Sequence, residues 1–191
     1  VAARSIPVEI VQRILFQRDD QIATLVEKHF GSVKGATTAE MLAQVDQFND
    51  RATTLQPFTN DLAALEAAIR KTETSGPTAL HNALYISLKD LMKDKKAAEL
   101  RRRAIVLLSD GEDTASLVND EQVLELAKKS EINIYAISLR PSRASDRQRQ
   151  AFSQAEYLVN ALTRETGGRA YFPASIGELD SVYDRIAEEL R

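Results

Sequence analysis

The stretch that decides the fold covers residues 103–116 and reads Arg-Ala-Ile-Val-Leu-Leu-Ser-Asp-Gly-Glu-Asp-Thr-Ala-Ser. Its apolar run lies between arginines and a Ser-Asp-Gly turn, which predicts a strand buried on both faces. Such a strand is central and parallel, and open α/β sheets bind ligands beyond the carboxyl ends of their strands. Ser109 and Asp110 therefore stand where a functional site is expected. Glu112 and Asp113 add negative charge there, so the pattern predicts an acidic site for a cation.

The composition is that of an ordinary globular domain. The chain has 191 residues, 43% hydrophobic and 28% charged, which is enough for a single domain with one substantial core. No apolar run approaches the roughly 20 residues that span a bilayer, so we expect no membrane insertion. The net charge of -3 argues against nucleic acid as the main partner. The absence of cysteine excludes disulfides and a cysteine nucleophile.

Apolar spacing predicts helix, strand and helix in the first part of the chain. Residues 7–18 and 37–48 carry apolar side chains at helical spacing, and each is predicted to form a helix. Residues 21–27, between them, are predicted to form a strand. Residues 53–55 are predicted to be a short extended piece.

The rest of the chain is predicted to alternate between helices and strands, which implies a mostly parallel sheet with helices on both faces. The predicted elements are a helix capped by Thr59 or Asn60, a helix over 80–91, the strand at 104–108, a helix capped by Asn119 and Gln122, a strand over 132–138, an exposed loop over 140–150, a helix ending at Gly167, a strand over 169–172 and a final helix capped by Ser175 and Glu178.

Four segments resemble, in their order and spacing, the von Willebrand factor type A domain. They are Thr59-Asn60-Asp61, the Gly-Pro-Thr-Ala-Leu-His-Asn-Ala-Leu run over 76–84, the stretch over 104–116, and Glu-Thr-Gly-Gly-Arg-Ala-Tyr-Phe over 165–172. The resemblance is strongest to a bacterial branch of exported proteins. It implies a Rossmann-like α/β fold and an exported location, which would be secreted, periplasmic or at the cell surface.

The resemblance also implies a metal-ion-dependent adhesion site. In the family a divalent cation, usually Mg²⁺, is held by three loops, and an acidic side chain of a partner completes its coordination. Thr78 matches the threonine of the second loop and Asp110 the aspartate of the third. Mg²⁺, and equally Mn²⁺ or Ca²⁺, prefers hard oxygen ligands such as these. The expected partner is a protein or an extracellular-matrix-type ligand that offers a carboxylate.

The first metal loop of the family, an Asp-x-Ser-x-Ser run, does not occur in this sequence. One alternative is that the chain begins after this loop, so that residues 7–18 form the helix that follows it. The first central strand would then lie upstream, and residues 28–47 would be an insertion. The other alternative is that residues 25–33 are a degenerate first loop in which only Ser32 is kept. We favour the first alternative.

These observations lead to three hypotheses about function. The favoured one is a non-catalytic binding or adhesion module with a cation at Thr78 and Asp110, near which Ser109, Ser32, Glu112 and Asp113 are loop or rim residues. The second is an assembly domain whose metal site has decayed. The least favoured is a metal-dependent hydrolase, because the sequence shows neither a general base in reach nor a closed pocket. We expect no enzymatic activity.

Overall fold

The computed structural model describes residues 8–14, 42–48, 50–72, 77–93, 102–109, 113–138, 146–173 and 176–190. Its elements, in chain order, are β1 (Val8–Ile14), β2 (Leu42–Phe48), β3 (Ala52–Thr59), α1 (Leu62–Arg70), α2 (Leu80–Lys93), β4 (Arg102–Leu108), α3 (Asp120–Ser130), β5 (Asn133–Ile137), α4 (Asp146–Thr166), β6 (Ala170–Tyr171), a 3₁₀ turn (Ile176–Glu178) and α5 (Leu179–Leu190).

The described strands form one sheet in the order β3-β2-β1-β4-β5-β6. All neighbouring pairs are parallel except β2 and β3, which run antiparallel. Strand order therefore reverses between β1 and β4, which are paired along their length up to Ile14 opposite Leu108. This is the topological switch point of a Rossmann-like sheet, the place where α/β proteins bind ligands.

Strand β4 is buried on both faces, as its sequence predicts. Ala104, Val106 and Leu108 belong to a core cluster that includes residues of α1 and α5. Ile105 and Leu107 belong to a second cluster, on the opposite face, that includes residues of α2, α3 and α4. Helices therefore cover both faces of the sheet, which confirms the predicted fold class.

Residues 8–14 are a strand and not the predicted helix. Strand β1 lies between β2 and β4 and pairs with both, so the sheet has its central strand within this chain, where we had placed that strand upstream. The segment is rich in β-branched residues, which favour strands. Its apolar spacing also fits a helix. Hydrogen bonding to a neighbouring strand on each side favours the strand over the helix. Residues 21–27 and 25–33 lie outside the described residues.

Residues 42–48 are also a strand where a helix was predicted. Val45 packs into the first core cluster and Phe48 into the second. Residues three apart lie on one side of a helix but on opposite faces of a strand. Because both faces of this sheet are covered, both residues can be buried in a strand, and the spacing was misread for that reason. Strand β2 thus includes the end of the segment 28–47 that we had considered an insertion.

Two helix starts differ from the predictions. The side chain that caps α1 is Asp61, which accepts hydrogen bonds from the N–H groups of Ala63 and Ala64 at 3.0 and 3.3 Å, and not that of Thr59 or Asn60. Helix α4 begins at Asp146, so residues 146–150 are helical where a loop was predicted. The capping box of Asn119 and Gln122 at the start of α3 is confirmed.

Candidate functional site

Beyond the carboxyl end of β4, the chain first continues its pairing with β5. The N–H of Ser109 donates to the Ile137 carbonyl at 3.1 Å, and Ser109 is buried, with 4% of its surface exposed. Asp110 and Glu112 lie outside the described residues. The described chain resumes at Asp113, on the loop of residues 113–118 that leads to α3.

The loop 113–118 is hydrogen-bonded to Thr78, in the segment before α2. The N–H groups of Thr114 and Ala115 both donate to the Thr78 carbonyl, at 2.8 and 3.1 Å. In return, the N–H of Thr78 donates to the Thr114 hydroxyl at 2.9 Å. Both backbone polar groups of Thr78 are therefore bound by one loop, and the hydrogen bonds that link Thr78 to described residues do not use its side-chain hydroxyl.

The same loop caps helix α2. Ala79 precedes the helix and its carbonyl accepts the first hydrogen bond of the helical ladder, at 3.0 Å, but an alanine side chain cannot cap the free N–H groups of the first turn. The Asp113 carboxylate and the Ser116 hydroxyl take over this role. They accept hydrogen bonds from the N–H groups of His81 and Asn82, at 2.8 and 3.0 Å.

Side chains of α2 bind the end of the loop in turn. The Asn82 side-chain oxygen accepts hydrogen bonds from the N–H groups of Leu117 and Val118, at 3.1 and 3.0 Å. The His81 Nδ1 lies 3.2 Å from the Val118 carbonyl, a contact in which only a protonated Nδ1 can donate. The two segments, more than 30 residues apart in the chain, are thus joined along their length.

Asp113 is the centre of this network. Its Oδ1 accepts a hydrogen bond from the Ser116 N–H at 3.0 Å, and its Oδ2 accepts one from the Ser116 hydroxyl at 2.6 Å in addition to that from His81. Burial opposes ionisation of the carboxyl group, but the hydrogen bonds from Ser116 and from the His81 amide outweigh it. The pKa of Asp113 is therefore lowered below its ordinary value.

The structure describes some of the predicted site residues and not others. Thr78 lies beside the loop that follows β4, as the hypothesis requires. Asp113 is not a solvated rim charge: its side chain is only 13% exposed and accepts three hydrogen bonds from the protein. Asp110, Glu112 and Ser32 lie outside the described residues, within which no three acidic, histidine or cysteine side chains form a metal-binding group.

Sequence reasoning missed the residues that join the two loops, namely His81, Asn82, Thr114 and Ser116. One local signal was available. Ala79 stands where a helix of this length ordinarily has a Ser, Thr, Asp or Asn cap, so the capping groups had to come from elsewhere. The sequence offers no indication of which segment supplies them.

The fold is that of an α/β protein of Rossmann-like topology, in which hydrogen bonds join residues 78–82 to the loop 113–118 that follows β4. Residues 15–185 match the von Willebrand factor type A domain, and the chain belongs to this family. Domains of this family generally mediate protein interactions, some of them through a metal-ion-dependent adhesion site. No curated protein matches the chain in sequence.

Solved structures share the fold at low sequence identity. An aerotolerance-related membrane protein from Bacteroides fragilis is 18% identical, with 97% of this chain and 98% of that chain covered and a TM-score of 0.65. The vWF domain of the type V pili tip protein Mfa5 from Porphyromonas gingivalis is 14% identical, with coverages of 98% and 96% and a TM-score of 0.67.

A third structure concerns the metal site. Proximal thread matrix protein 1 from the mussel byssus, with a zinc-occupied MIDAS motif, is 14% identical and has a TM-score of 0.69. The match covers 96% of this chain and 46% of that chain. In the part of our chain that the structure describes, no helix combines the length and the apolarity needed to cross a membrane.

Proposed function

We propose that the protein is a non-catalytic binding module in which a divalent cation, held by the Thr78 hydroxyl and the Asp110 carboxylate, binds an acidic side chain of a protein partner. One observation carries the proposal. The hydrogen bonds between Thr78 and Thr114 draw the loop after β4 against the segment before α2. Asp110 precedes Thr114 by four residues in the sequence.

The available donors suit a small, hard cation. The hydrogen bonds that Thr78 makes to described residues use its backbone N–H and C=O, so the hydroxyl is available as an oxygen ligand. Mg²⁺ keeps several waters when it binds to proteins, and few protein ligands therefore suffice; Mn²⁺ and Ca²⁺ also bind to oxygen. The bound cation would supply an open coordination position for the partner's carboxylate.

The ligand set differs from that of the family at the first loop. The residues that follow β1 in the sequence are Leu-Phe-Gln-Arg-Asp-Asp, over 15–20, and they contain no Asp-x-Ser-x-Ser run. We therefore propose only Thr78 and Asp110 as protein ligands of the cation, with water completing the coordination. Ser32 and Glu112 stay predictions as loop or rim residues.

The partner would also meet an apolar group on this face. Leu117 is 95% exposed, on a loop whose backbone Asn82 holds by two hydrogen bonds. A leucine presented in this way gives a protein partner an apolar contact beside its carboxylate. The membrane-protein and pilus-tip neighbours support an exported location, which would be secreted, periplasmic or at the cell surface.

The alternative functions have less support. The outer strands of the described sheet are β6, which has only two residues, and β3. Strand β3 contains Pro57, which has no N–H to offer a partner strand. Its pairing with β2 is also interrupted by register shifts, and both features protect a sheet edge from strand addition. For a hydrolase, Asp113 is a poor general base because both of its oxygens already accept hydrogen bonds.

Isothermal titration with MnCl₂ and MgCl₂ tests the proposal on the metal alone. We expect the wild-type protein to bind either cation, Asp110→Ala to lose detectable binding, and Thr78→Ala to bind at least about 10-fold more weakly. The matched control is Thr53→Ala, which removes an exposed threonine of the outer strand β3 and should bind like wild type. A wild-type protein that binds no divalent cation, or unchanged binding by Asp110→Ala, contradicts the proposal.

A further inference from the structure

The loop 113–118 performs two tasks through one set of hydrogen bonds. At Thr114 and Ala115 it binds the backbone of Thr78, and at Asp113 and Ser116 it caps α2. Both tasks depend on the shape of the loop, and Asp113 sets that shape by accepting the N–H and the hydroxyl of Ser116. Asp113 is therefore connected to the backbone of Thr78 through the residue next to it, Thr114.

We propose that Asp113 is a positioning residue of the metal site: it holds Thr78 in the orientation in which its hydroxyl can bind the cation, and it does not bind the cation itself. This inference rests on the proposed function. The half-buried carboxylate acts on Thr78 without contacting the cation, as outer residues do in metal sites where they orient the ligands.

The hydrogen bonds of Asp113 argue against a ligand role. Its Oδ2 accepts two of them, from the His81 N–H and the Ser116 hydroxyl, and its Oδ1 accepts a third from the Ser116 N–H. To bind a cation through Oδ2, the carboxylate would have to give up the cap of α2. The His81 ring, whose Nδ1 is 3.7 Å from Oδ2, would also lie close to such a cation.

A purely structural role is the second alternative, because a buried cap also stabilises the fold. Arg103 offers the matched comparison. It donates to the Leu91 carbonyl at 2.8 Å and to the Ser130 carbonyl at 3.3 Å, near the opposite end of the same helix α2. Arg103→Met therefore weakens the anchoring of α2 without touching the loop 113–118.

The experiment measures the Mn²⁺ affinity of wild type, Asp113→Ala, Ser116→Ala and Arg103→Met by titration calorimetry, at a temperature where circular dichroism shows each to be folded. We expect Asp113→Ala to bind Mn²⁺ about 10- to 100-fold more weakly, as is typical when outer partners of a metal site are removed. Ser116→Ala changes no charge and should weaken binding in the same direction by several-fold. Arg103→Met should bind within about twofold of wild type. If Asp113→Ala does not fold, Asp113→Asn replaces it.

The outcomes separate this inference from the proposed function. Unchanged affinity in Asp113→Ala overturns the inference, and so does an equal loss in Arg103→Met, which would mean general destabilisation. A loss of Mn²⁺ affinity in Asp113→Ala with unchanged affinity in Ser116→Ala also overturns the inference. It would indicate that Asp113 acts as a direct ligand or through its negative charge. Absence of Mn²⁺ binding by wild type, or unchanged binding by Asp110→Ala, is instead the failure of the proposed function.

Discussion

The two ends of helix α2 are held by side chains of opposite charge, of which Asp113 is half-buried and Arg103 is buried. At its start, the Asp113 carboxylate accepts the N–H of His81; near its end, the Arg103 guanidinium donates to the Leu91 carbonyl. Each charge suits the helix dipole, which favours anions at the N-terminus and cations at the C-terminus. Both side chains also satisfy backbone groups that have no partner within the helix.

The two ends differ in what the charged residue joins to the helix. Arg103, near the amino end of β4, also donates to the Ser130 carbonyl at the last residue of α3. It therefore joins the ends of two helices, at the end of β4 opposite to the candidate site. Asp113 joins α2 to the loop that binds Thr78. We expect the contacts of Arg103 to affect stability alone, whereas we propose that the hydrogen bonds of Asp113 serve both the fold and the candidate site.

The largest effect on stability is expected from Arg103→Met. Methionine fills much of the volume, but the carbonyls of Leu91 and Ser130 lose their buried donor, and we expect the free energy of unfolding to fall by about 2–4 kcal/mol. Urea unfolding measures the loss, and Mn²⁺ titration should show wild-type affinity. A loss below about 0.5 kcal/mol would mean that water replaces the guanidinium, and the comparison of the two ends would lose its basis.

A smaller effect is expected on acidification, at the Asp113 end only. Because the pKa of Asp113 is lowered in the folded protein, its stabilisation is present above the unfolded pKa of about 3.9 and disappears as the pH falls below it. The free energy of unfolding of Asp113→Asn should therefore fall less than that of wild type between pH 6 and pH 3.

The control for this pH experiment is Arg103→Met. Arginine stays charged over the same range, so urea unfolding of this variant should show the full wild-type dependence on pH. Equal pH dependence in wild type and Asp113→Asn would contradict the assignment of an ionised, hydrogen-bonded carboxylate to Asp113.

The smallest effect separates the backbone of the loop from its exposed side chain. Leu117→Ser keeps the N–H that Asn82 binds and removes only an exposed side chain, so the free energy of unfolding should stay within about 0.5 kcal/mol of wild type. Asn82→Ala removes the acceptor of both Leu117 and Val118 and should cost about 1 kcal/mol. Thermal or urea unfolding of the two variants measures the difference. Equal losses of unfolding free energy in Leu117→Ser and Asn82→Ala would mean that Asn82 does not hold the loop.

Sequence patterns predicted the elements whose signals are local. Strand β4 was recognisable because an uninterrupted apolar run can be buried on both faces of a parallel sheet. Helix α2 was recognisable from the spacing of Leu80, Leu84, Leu88 and Leu91, all of which are buried. The capping box of Asn119 and Gln122 predicted the start of α3 because both hydrogen bonds are made within four residues.

The same reasoning failed at β1 and β2, where the apolar spacing fits helix and strand alike. Val45 and Phe48 would share one side of a helix, and only a sheet covered on both faces allows them to be buried in a strand. Neighbouring strands supply the hydrogen bonds that settle this choice, and they lie far away in the sequence.

For the candidate site, the family motifs in the sequence pointed to Thr78 and to Asp110 in the acidic stretch after β4, and this site stays a prediction. The hydrogen-bond partners of Asp113 were decided by the tertiary structure, and so were those of Arg103. A motif records the kinds of side chain present and their spacing, and these are properties of a short segment. Which N–H or carbonyl a buried charge will bind depends on segments that folding brings together, such as residues 78–82 and 113–118, and no local pattern carries that information.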